Sequence, residues 1–164
     1  MRDVWQQISN TFVAEFSDLK DVSEITTITI RLLMAALLGG ILGFEREQRG
    51  KAAGIKTHML VAIGSALFVL IPLQAGISDA EMSRVMQGII TGIGFLGAGA
   101  ILKGHDEKDL KGLTTAAGIW VTAAIGVAAG LGRESLAILC TFLALLVLLT
   151  MPKVIDLIEK KEPH

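Results

Sequence analysis

The residues best suited to chemistry lie in one short charged segment, residues 43–58, which reads GFEREQRGKAAGIKTH. Glu45 and Glu47 offer hard oxygen ligands, and Mg²⁺ is typically bound through one or two carboxylates together with retained waters. His58 would add a neutral ligand. The segment therefore predicts a site built on Glu45 and Glu47, with a metal ion as one candidate occupant.

Hydrolytic chemistry is a poorer fit to the same region. His58 and Ser65 stand seven residues apart, so they share a helix face but lie about 10.5 Å apart along its axis. A nucleophile and its general base need about 3 Å. His105 stands in a charged loop and His164 is the last residue. We therefore expect no enzymatic activity, no catalytic residue and no bound cofactor.

The elements that must position this segment are strongly apolar. Of the 164 residues, 52% are hydrophobic and 19% are charged, which is more apolar than a typical soluble domain. Four runs contain no Asp, Glu, Lys, Arg or His: residues 59–78, 85–102, 112–132 and 135–152. A fifth run, residues 25–44, carries one charge, Arg31. Each run is close to the ~20 residues that a helix needs to cross a bilayer. We therefore predict five transmembrane helices.

The distribution of positive charge predicts the orientation of these helices, because short cytoplasmic loops are enriched in Lys and Arg. Basic residues concentrate in the first loop, the third loop and the tail: Arg46, Arg49, Lys51, Lys56, Lys103, Lys108, Lys111, Lys153, Lys160 and Lys161. The second loop, residues 76–83, has none. This alternation predicts an N-terminus outside the cell and a C-terminus in the cytoplasm. The basic residues of the first loop thus also act as topology signals.

The N-terminal segment has a different pattern. Apolar side chains recur there every three or four positions: Trp5, Ile8, Phe12, Phe16 and Leu19. This spacing is typical of an amphipathic helix that lies in the membrane interface, although the same stripe could pack on the bundle. The predicted fold is all-α, with an amphipathic segment at 1–24, a transmembrane domain at 25–152 and a short cytoplasmic tail at 153–164.

Glycines are concentrated where helices are expected to meet. In lipid, helices associate through small residues that let their backbones approach closely. Several glycines stand in pairs four residues apart, and others lie close to these pairs. Together they are Gly39, Gly43, Gly88, Gly92, Gly94, Gly97, Gly99, Gly126 and Gly130. The density in the third span predicts either tight packing or an unwound segment that lines a polar cavity. Exposed small-residue seams also make a homodimer the expected assembly.

Three separated stretches carry a resemblance to a known family. They read GFEREQRGKAAGIKTHMLVAIGSALF, GIGFLGAGAILKG and KGLTTAAGIWVTAAIGVAAGLG. In this order they resemble the membrane domain of the MgtC/SapB family, from about residue 31 to residue 132. The family motif falls on Glu45, Arg46, Glu47, Gly54, Thr57, His58, Gly92, Gly94, Phe95, Gly97, Gly99, residues 112–117 and Trp120.

The resemblance implies a bacterial inner-membrane protein of about five helices. Members resembling MgtC are associated with adaptation to low magnesium and with virulence, and the MgtC branch is linked to restraint of the ATP synthase. MgtC continues into a soluble domain resembling ACT modules, whereas this chain ends at His164, as expected of the shorter SapB-like form. The implied function is a non-enzymatic regulator that acts through membrane-protein partners and binds no nucleic acid. A small-solute or Mg²⁺ transporter is the alternative, and a purely structural partner is a third possibility.

Charge-based topology places residues 45–58 and 102–115 on the same, cytoplasmic, side. The candidate site at this rim comprises Glu45, Arg46, Glu47, Thr57, His58, Lys103, Lys111, Thr114 and Thr115. We expect Glu45 and Glu47 to face Lys103 or Lys111 across the mouth of the bundle. A structural salt-bridge network is the alternative interpretation.

Overall fold

The computed structural model describes residues 2–15, 21–103 and 110–159. The described residues form six helices: α1 (Arg2–Glu15), α2 (Val22–Gln48), α3 (Ile55–Gln74), α4 (Asp79–Gly99), α5 (Leu113–Gly130) and α6 (Glu134–Glu159). The chain divides into two compact units, Met1–Ile30 and Arg31–His164, and the boundary between them falls within α2. The second unit contains every residue of the predicted rim site.

Four of the described helices are long and apolar enough to cross a membrane: α2, α3, α5 and the Glu134–Ile155 part of α6. Four of the five predicted spans therefore correspond to helices that could cross a membrane. The fifth predicted span lies in α4, which fails this criterion. Its first half contains Asp79, Glu81, Arg84 and Gln87, and its second half is rich in glycine, which adds little hydrophobicity.

α2 and α3 are antiparallel and lie unusually close. A Cβ added to Gly39 would fall 2.7 Å from the backbone oxygen of His58, and one on Gly43 would fall 2.6 Å from Ile55 Cα. Side chains cannot occupy such distances, so glycine is what allows the two backbones to approach. The contact brings the C-terminal end of α2 beside the first turn of α3.

α5 lies parallel to α3, on another face of it. A Cβ on Gly126 would fall 2.9 Å from Ala62 Cα, and one on Gly130 would fall 2.6 Å from the backbone oxygen of Ala66. The core shared by α2, α3, α5 and α6 consists of small and branched side chains: Ala35, Leu38, Leu42, Ala62, Ala66, Ile125, Ala128, Ala129 and Ala137. Small residues thus set the spacing of α2, α3 and α5.

α4 is a continuous helix, so its glycines do not form the unwound segment considered above. Its start is fixed by a capping box, in which Ser78 Oγ accepts from Glu81 N–H and the Glu81 carboxylate accepts from Ser78 N–H. Of its glycines, Gly97 lies against Ala116 of α5. The remaining four, at which an added Cβ would meet no described atom within 4 Å, are Gly88, Gly92, Gly94 and Gly99.

A feature not predicted from the sequence is a short antiparallel pairing between α4 and α5. Strand β1 (Leu102–Lys103) pairs with β2 (Leu110–Lys111), with Leu102 opposite Lys111. Gly112 then turns the chain into α5 with φ +98°, against the carbonyl of Ala100. Only glycine adopts this backbone without strain at so close an approach. The loop residues 104–109, including His105 and Lys108, lie outside the described residues.

The opposite end of the bundle is closed by Arg31, the single charge of the first apolar run. Its Nη1 donates to the backbone oxygen of Gly130 at 3.1 Å, and its Nε lies 4.0 Å from a Glu134 carboxylate oxygen. The guanidinium therefore satisfies a carbonyl at the C-terminal end of α5, where backbone acceptors lack helical partners. It ties α2 to the turn between α5 and α6.

The terminal helices differ in part from the predicted boundaries. α6 passes through Pro152 and continues to Glu159, so the predicted tail begins as helix. Its last residues, with Lys160, Lys161 and His164, lie outside the described residues. α1 carries Trp5, Ile8 and Phe12 of the predicted stripe. Phe16 and Leu19 lie outside the described residues, and the interfacial position of this helix stays a prediction.

Candidate functional site

The charged end of α2 holds a buried ion-pair cluster. Glu45 is 7% exposed and Arg46 is 3% exposed. Glu45 Oε2 accepts from Nε of Arg46 and forms an ion pair with its Nη2, and Arg49 Nε lies 2.6 Å from Glu45 Oε1. Although Oε1 accepts no well-aligned hydrogen bond, its charge is paired. One carboxylate therefore serves two guanidinium groups.

Local sequence explains how this cluster forms. Glu45 lies in the last turn of α2 and Arg49 directly follows the helix, four residues on, a spacing that places the two side chains on one face. The C-terminal end of a helix also favours arginine, because the helix dipole is negative there. A buried charge is tolerated only when it is paired and hydrogen-bonded. The cluster is therefore a closed electrostatic unit rather than a pair of free carboxylate ligands.

Glu47, near the end of α2, contacts the start of α3. The Ncap position is Gly54, which has no side chain to accept a hydrogen bond. Glu47 Oε2 takes that place by accepting from Ile55 N–H at 2.9 Å. A carboxylate is well suited to a helix N-terminus, where backbone donors are unpaired and the dipole is positive. Glu47 thus caps α3 from the preceding helix.

We expect Glu47→Ala to destabilise the protein by about 1 kcal/mol, the usual cost of losing an N-terminal cap. Glu47→Gln keeps an acceptor oxygen and should cost less. Thermal unfolding of the detergent-solubilised variants measures the difference, and amide hydrogen exchange at Ile55 reports the local effect. Equal stability of Glu47→Ala and wild type, with unchanged exchange at Ile55, would exclude this capping role.

His58 is fully buried one turn into α3. Its Nδ1 lies 3.0 Å from the backbone oxygen of Gly54. A carbonyl only accepts, so this contact assigns the proton to Nδ1. Nε2 has no hydrogen-bond partner among the described residues and lies on the side of Gly118, where an added Cβ would be 3.6 Å away.

The contact between His58 and Gly118 brings the first turn of α3 beside the first half of α5. Together with the contact between Gly112 and Ala100, it places residues 45–58 and the α4–α5 connection at the same end of the bundle. Around this end, Thr57 is half-buried, Thr115 is buried, and Thr114 is exposed. Trp120 lies further along α5, facing a cavity shared with α4.

The expected pairing of Glu45 and Glu47 with Lys103 or Lys111 stays a prediction. The structure gives both carboxylates other partners, Arg46 and Arg49 for Glu45 and the α3 N-terminus for Glu47. The Lys103 side chain lies outside the described residues. Among the described residues, no group of three His, Cys, Asp or Glu side chains is close enough to hold a metal ion.

Sequence reasoning did not identify several residues that the structure brings to the site. The sequence predicts Arg49 only as a topology signal, although its spacing from Glu45 is a recognised ion-pair pattern. The Gly54 carbonyl and Gly118 are positioned by tertiary contacts, for which the sequence offers no signal. Cys140 of α6 lines a groove together with His58.

The fold and the site together define a class: a polytopic helical membrane protein with glycine-mediated helix contacts and a buried ion-pair cluster at one end of the bundle. Comparison with known proteins is more specific. A model of the MgtC family matches residues 32–157, and the chain belongs to that family.

Individual relatives agree with this assignment. SrpB of Synechococcus elongatus is 44% identical over 132 residues, covering 74% of this chain and 72% of SrpB. The Escherichia coli K12 protein named putative magnesium transporter YhiD is 45% identical over 127 residues, covering 73% of this chain and 58% of YhiD. MgtC of Brucella abortus is 42% identical over 126 residues, covering 76% of this chain and 51% of MgtC. No solved structure matches.

Proposed function

We propose that this chain is a non-enzymatic protein of the bacterial inner membrane that regulates membrane physiology under low-magnesium or acid stress. It would act through contacts with other membrane proteins. The observation that carries the proposal is the engagement of both carboxylates of the charged segment, Glu45 by two arginines and Glu47 by the α3 N-terminus. Glu47 links α2 to α3, and carboxylates engaged in this way are not free to bind a passing cation.

The proposal includes a membrane arrangement. The fifth span is the charge-free run 85–102, of which residues 85–99 belong to α4, and the N-terminus lies outside. The predicted cytoplasmic end is then the one that holds the Glu45 cluster and the basic loops, as the distribution of Lys and Arg favours. Fusions of a periplasm-active and a cytoplasm-active reporter after residue 78 and after residue 152 test it. Activity of the same reporter at both positions would contradict the arrangement.

A second copy of the chain is the first partner to consider. The open glycines of α4 would allow the close helix approach that association in lipid requires. Larger complexes with other membrane proteins, for which the ATP synthase is one candidate, belong to the same proposal. Crosslinking in native membranes separates a dimer from a complex of mixed composition.

Transport of Mg²⁺ is the second candidate function. It is favoured by the name of the E. coli relative, a putative magnesium transporter that is 45% identical to this chain. A transported ion would have to be coordinated by groups other than Glu45 and Glu47, such as backbone carbonyls and hydroxyls. A site that binds only the folded protein would stabilise it by about 2.7 kcal/mol at 100 times the dissociation constant.

One experiment separates the two functions. The chain is expressed in a bacterium that lacks its own genes of this family and grows poorly at low magnesium, and the purified protein is reconstituted in liposomes with a Mg²⁺ indicator. Restored growth without Mg²⁺ flux, together with a membrane protein captured by crosslinking, supports the regulator. Flux that exceeds that of empty liposomes and saturates with Mg²⁺ would replace it with the transporter.

A further inference from the structure

One side of α4 is exposed and carries polar side chains. Arg84, Gly88, Thr91 and Phe95 follow one another at intervals of three or four residues, as on one face of a helix, and Gln87 stands beside them. All five are exposed. The Gln87 carbonyl accepts from Thr91 Oγ1, but its side-chain amide has no hydrogen-bond partner among the described residues. In the predicted span 85–102 this amide would face hydrocarbon, which offers no hydrogen bonds.

A groove lies next to this face, between α3 and α4. Its volume is about 510 Å³, and apolar side chains line it together with Gly64 of α3 and Gly88 and Gly92 of α4. At each of these three glycines an added Cβ would meet no described atom within 4 Å. Both walls therefore leave room for the backbone of another helix, the kind of close approach by which helices associate in lipid.

Ser65 gives the groove a polar group. It lines the groove and is 3% exposed, and its hydroxyl has no hydrogen-bond partner among the described residues. A buried hydroxyl without a partner is rare. Its oxygen differs from His58 Nε2 in not being fully enclosed, so a group in the groove can reach it. The groove therefore has a place for one hydrogen-bonding side chain.

Ser65 and Gln87 lie at the same depth. α3 and α4 are joined by residues 75–78, with Ser65 nine residues before Gln74 and Gly88 nine residues after Asp79. At 1.5 Å per residue, both are about 13.5 Å from this connection. Gln87 adjoins Gly88 but does not line the groove of its own chain. The two unpaired polar groups thus match in depth and are separated by α4 itself.

A second copy of the chain would bring the two groups together. A two-fold axis along the membrane normal keeps every residue at its own depth, and each contact then occurs twice. We propose that the groove holds α4 of a second copy, with the partner's Gln87 hydrogen-bonded to Ser65 and the two α4 helices crossing at Gly88 and Gly92. The exposed polar face of each α4 is then covered by the other copy.

Charges at the start of α4 agree with this arrangement. Arg84 lies on the same exposed face and has no ion pair among the described residues. Glu81, three residues earlier, is also exposed and caps its own helix. In a parallel pair of α4 helices, Arg84 of each copy lies near Glu81 of the other, so the two surfaces are complementary in charge. The inference rests on the proposed function, which acts through membrane-protein contacts, and adds the surface used.

Crosslinking between two differently tagged copies tests the contact in native membranes. Both copies carry Cys140→Ala, which removes the only cysteine. One also carries Ser65→Cys and the other Gln87→Cys, and a short bifunctional thiol reagent is added. We expect a product that bears both tags. The matched control replaces Gln87→Cys with Ile90→Cys, which is 52% exposed on the same helix but lines a cavity against α5, and should give no such product.

The hydrogen bond is tested by the dissociation constant of the dimer, from energy transfer between labelled copies in vesicles at varied dilution. Gln87→Leu and Ser65→Ala should each raise it roughly eightfold, as expected for two hydrogen bonds between membrane helices, and the double variant should raise it no further. Thr150→Val, which removes a hydroxyl bonded within α6, should leave it unchanged.

Gly92→Ala separates the dimer from the fold. The added Cβ meets no described atom within 4 Å, so the unfolding of the single chain should be unaffected or slightly more difficult. The same Cβ would lie at the proposed crossing and should weaken the dimer. A variant that dimerises as wild type does would overturn the crossing at Gly92.

Each remaining outcome decides the proposal. Absence of the doubly tagged product, or an equal yield with Ile90→Cys, would overturn it, as would additive effects of Gln87→Leu and Ser65→Ala. These results are distinct from failure of the proposed function. A chain that crosslinks to another membrane protein but not to its own copy overturns this interface and leaves the regulator. The dimer described here together with saturable Mg²⁺ flux supports the interface and overturns the regulator.

Discussion

Gly126→Ala is expected to destabilise the bundle by about 2–3 kcal/mol, a typical cost of forcing an extra carbon into a well-packed interior. The added Cβ would fall 2.9 Å from both Cα and the carbonyl carbon of Ala62. These are backbone atoms of α3, which cannot rotate away as the end of a side chain can. The helices would have to separate, and the buried contacts of Ala62 and Ile125 would loosen with them.

The matched control is Gly118→Ala, the same substitution in the same helix. Its Cβ would have its nearest neighbour at 3.6 Å, so it fits without movement. Because glycine costs about 1 kcal/mol relative to alanine in a helix, Gly118→Ala should be neutral or stabilising. Reversible unfolding in mixed detergent measures both variants. If Gly126→Ala were as stable as Gly118→Ala, the close contact between α3 and α5 would be wrong.

The second large effect is expected at the buried ion pair. Glu45→Gln should cost about 3–5 kcal/mol, because it removes the partner of a buried charge. Arg46 is 3% exposed and would keep its positive charge without the carboxylate that now accepts from its Nε and pairs with its Nη2. Glutamine has nearly the same shape, so the loss would report charge rather than volume.

Arg49→Gln is the control for this effect. The Arg49 side chain is 36% exposed, and ion pairs at such positions contribute roughly 0–1 kcal/mol. The double variant Glu45→Gln/Arg46→Met removes both buried charges and should recover part of the stability lost in Glu45→Gln. The same unfolding assay measures all three. The double variant could instead be less stable than Glu45→Gln, by as much as losing Arg46 independently would cost. That result would show that Glu45 and Arg46 are not coupled.

Much of the fold was predictable because it depends on properties read along the chain. The charge-free runs predicted the helices that the structure shows as α3, α5 and α6, and the run with Arg31 predicted α2. The three motifs predicted the family, which the comparison confirms. The short pairing of Leu102 with Lys111 was not predictable, since two residues are too few to show a periodic pattern.

The site was predictable in its residue types but not in its contacts. Glu45, Arg46, Glu47 and His58 were identified from their chemistry within a short segment. Their partners were not: Arg46 and Arg49 pair with Glu45, and Ile55 N–H at the α3 N-terminus pairs with Glu47. The expected pairing with Lys103 or Lys111 stays a prediction.

Sequence alone therefore determined that this chain forms apolar helices and where its charges collect, because hydrophobicity and charge belong to each residue wherever the chain places it. Only the tertiary structure decided at which glycines a neighbouring backbone occupies the space where a side chain would stand. Gly126 is pressed against α3, whereas Gly92, with the same spacing motif, meets no described atom within 4 Å. It also decided that His58 Nε2 is left without a partner. Contact and burial depend on the distance between residues far apart in the chain, and the packing of the helices sets that distance.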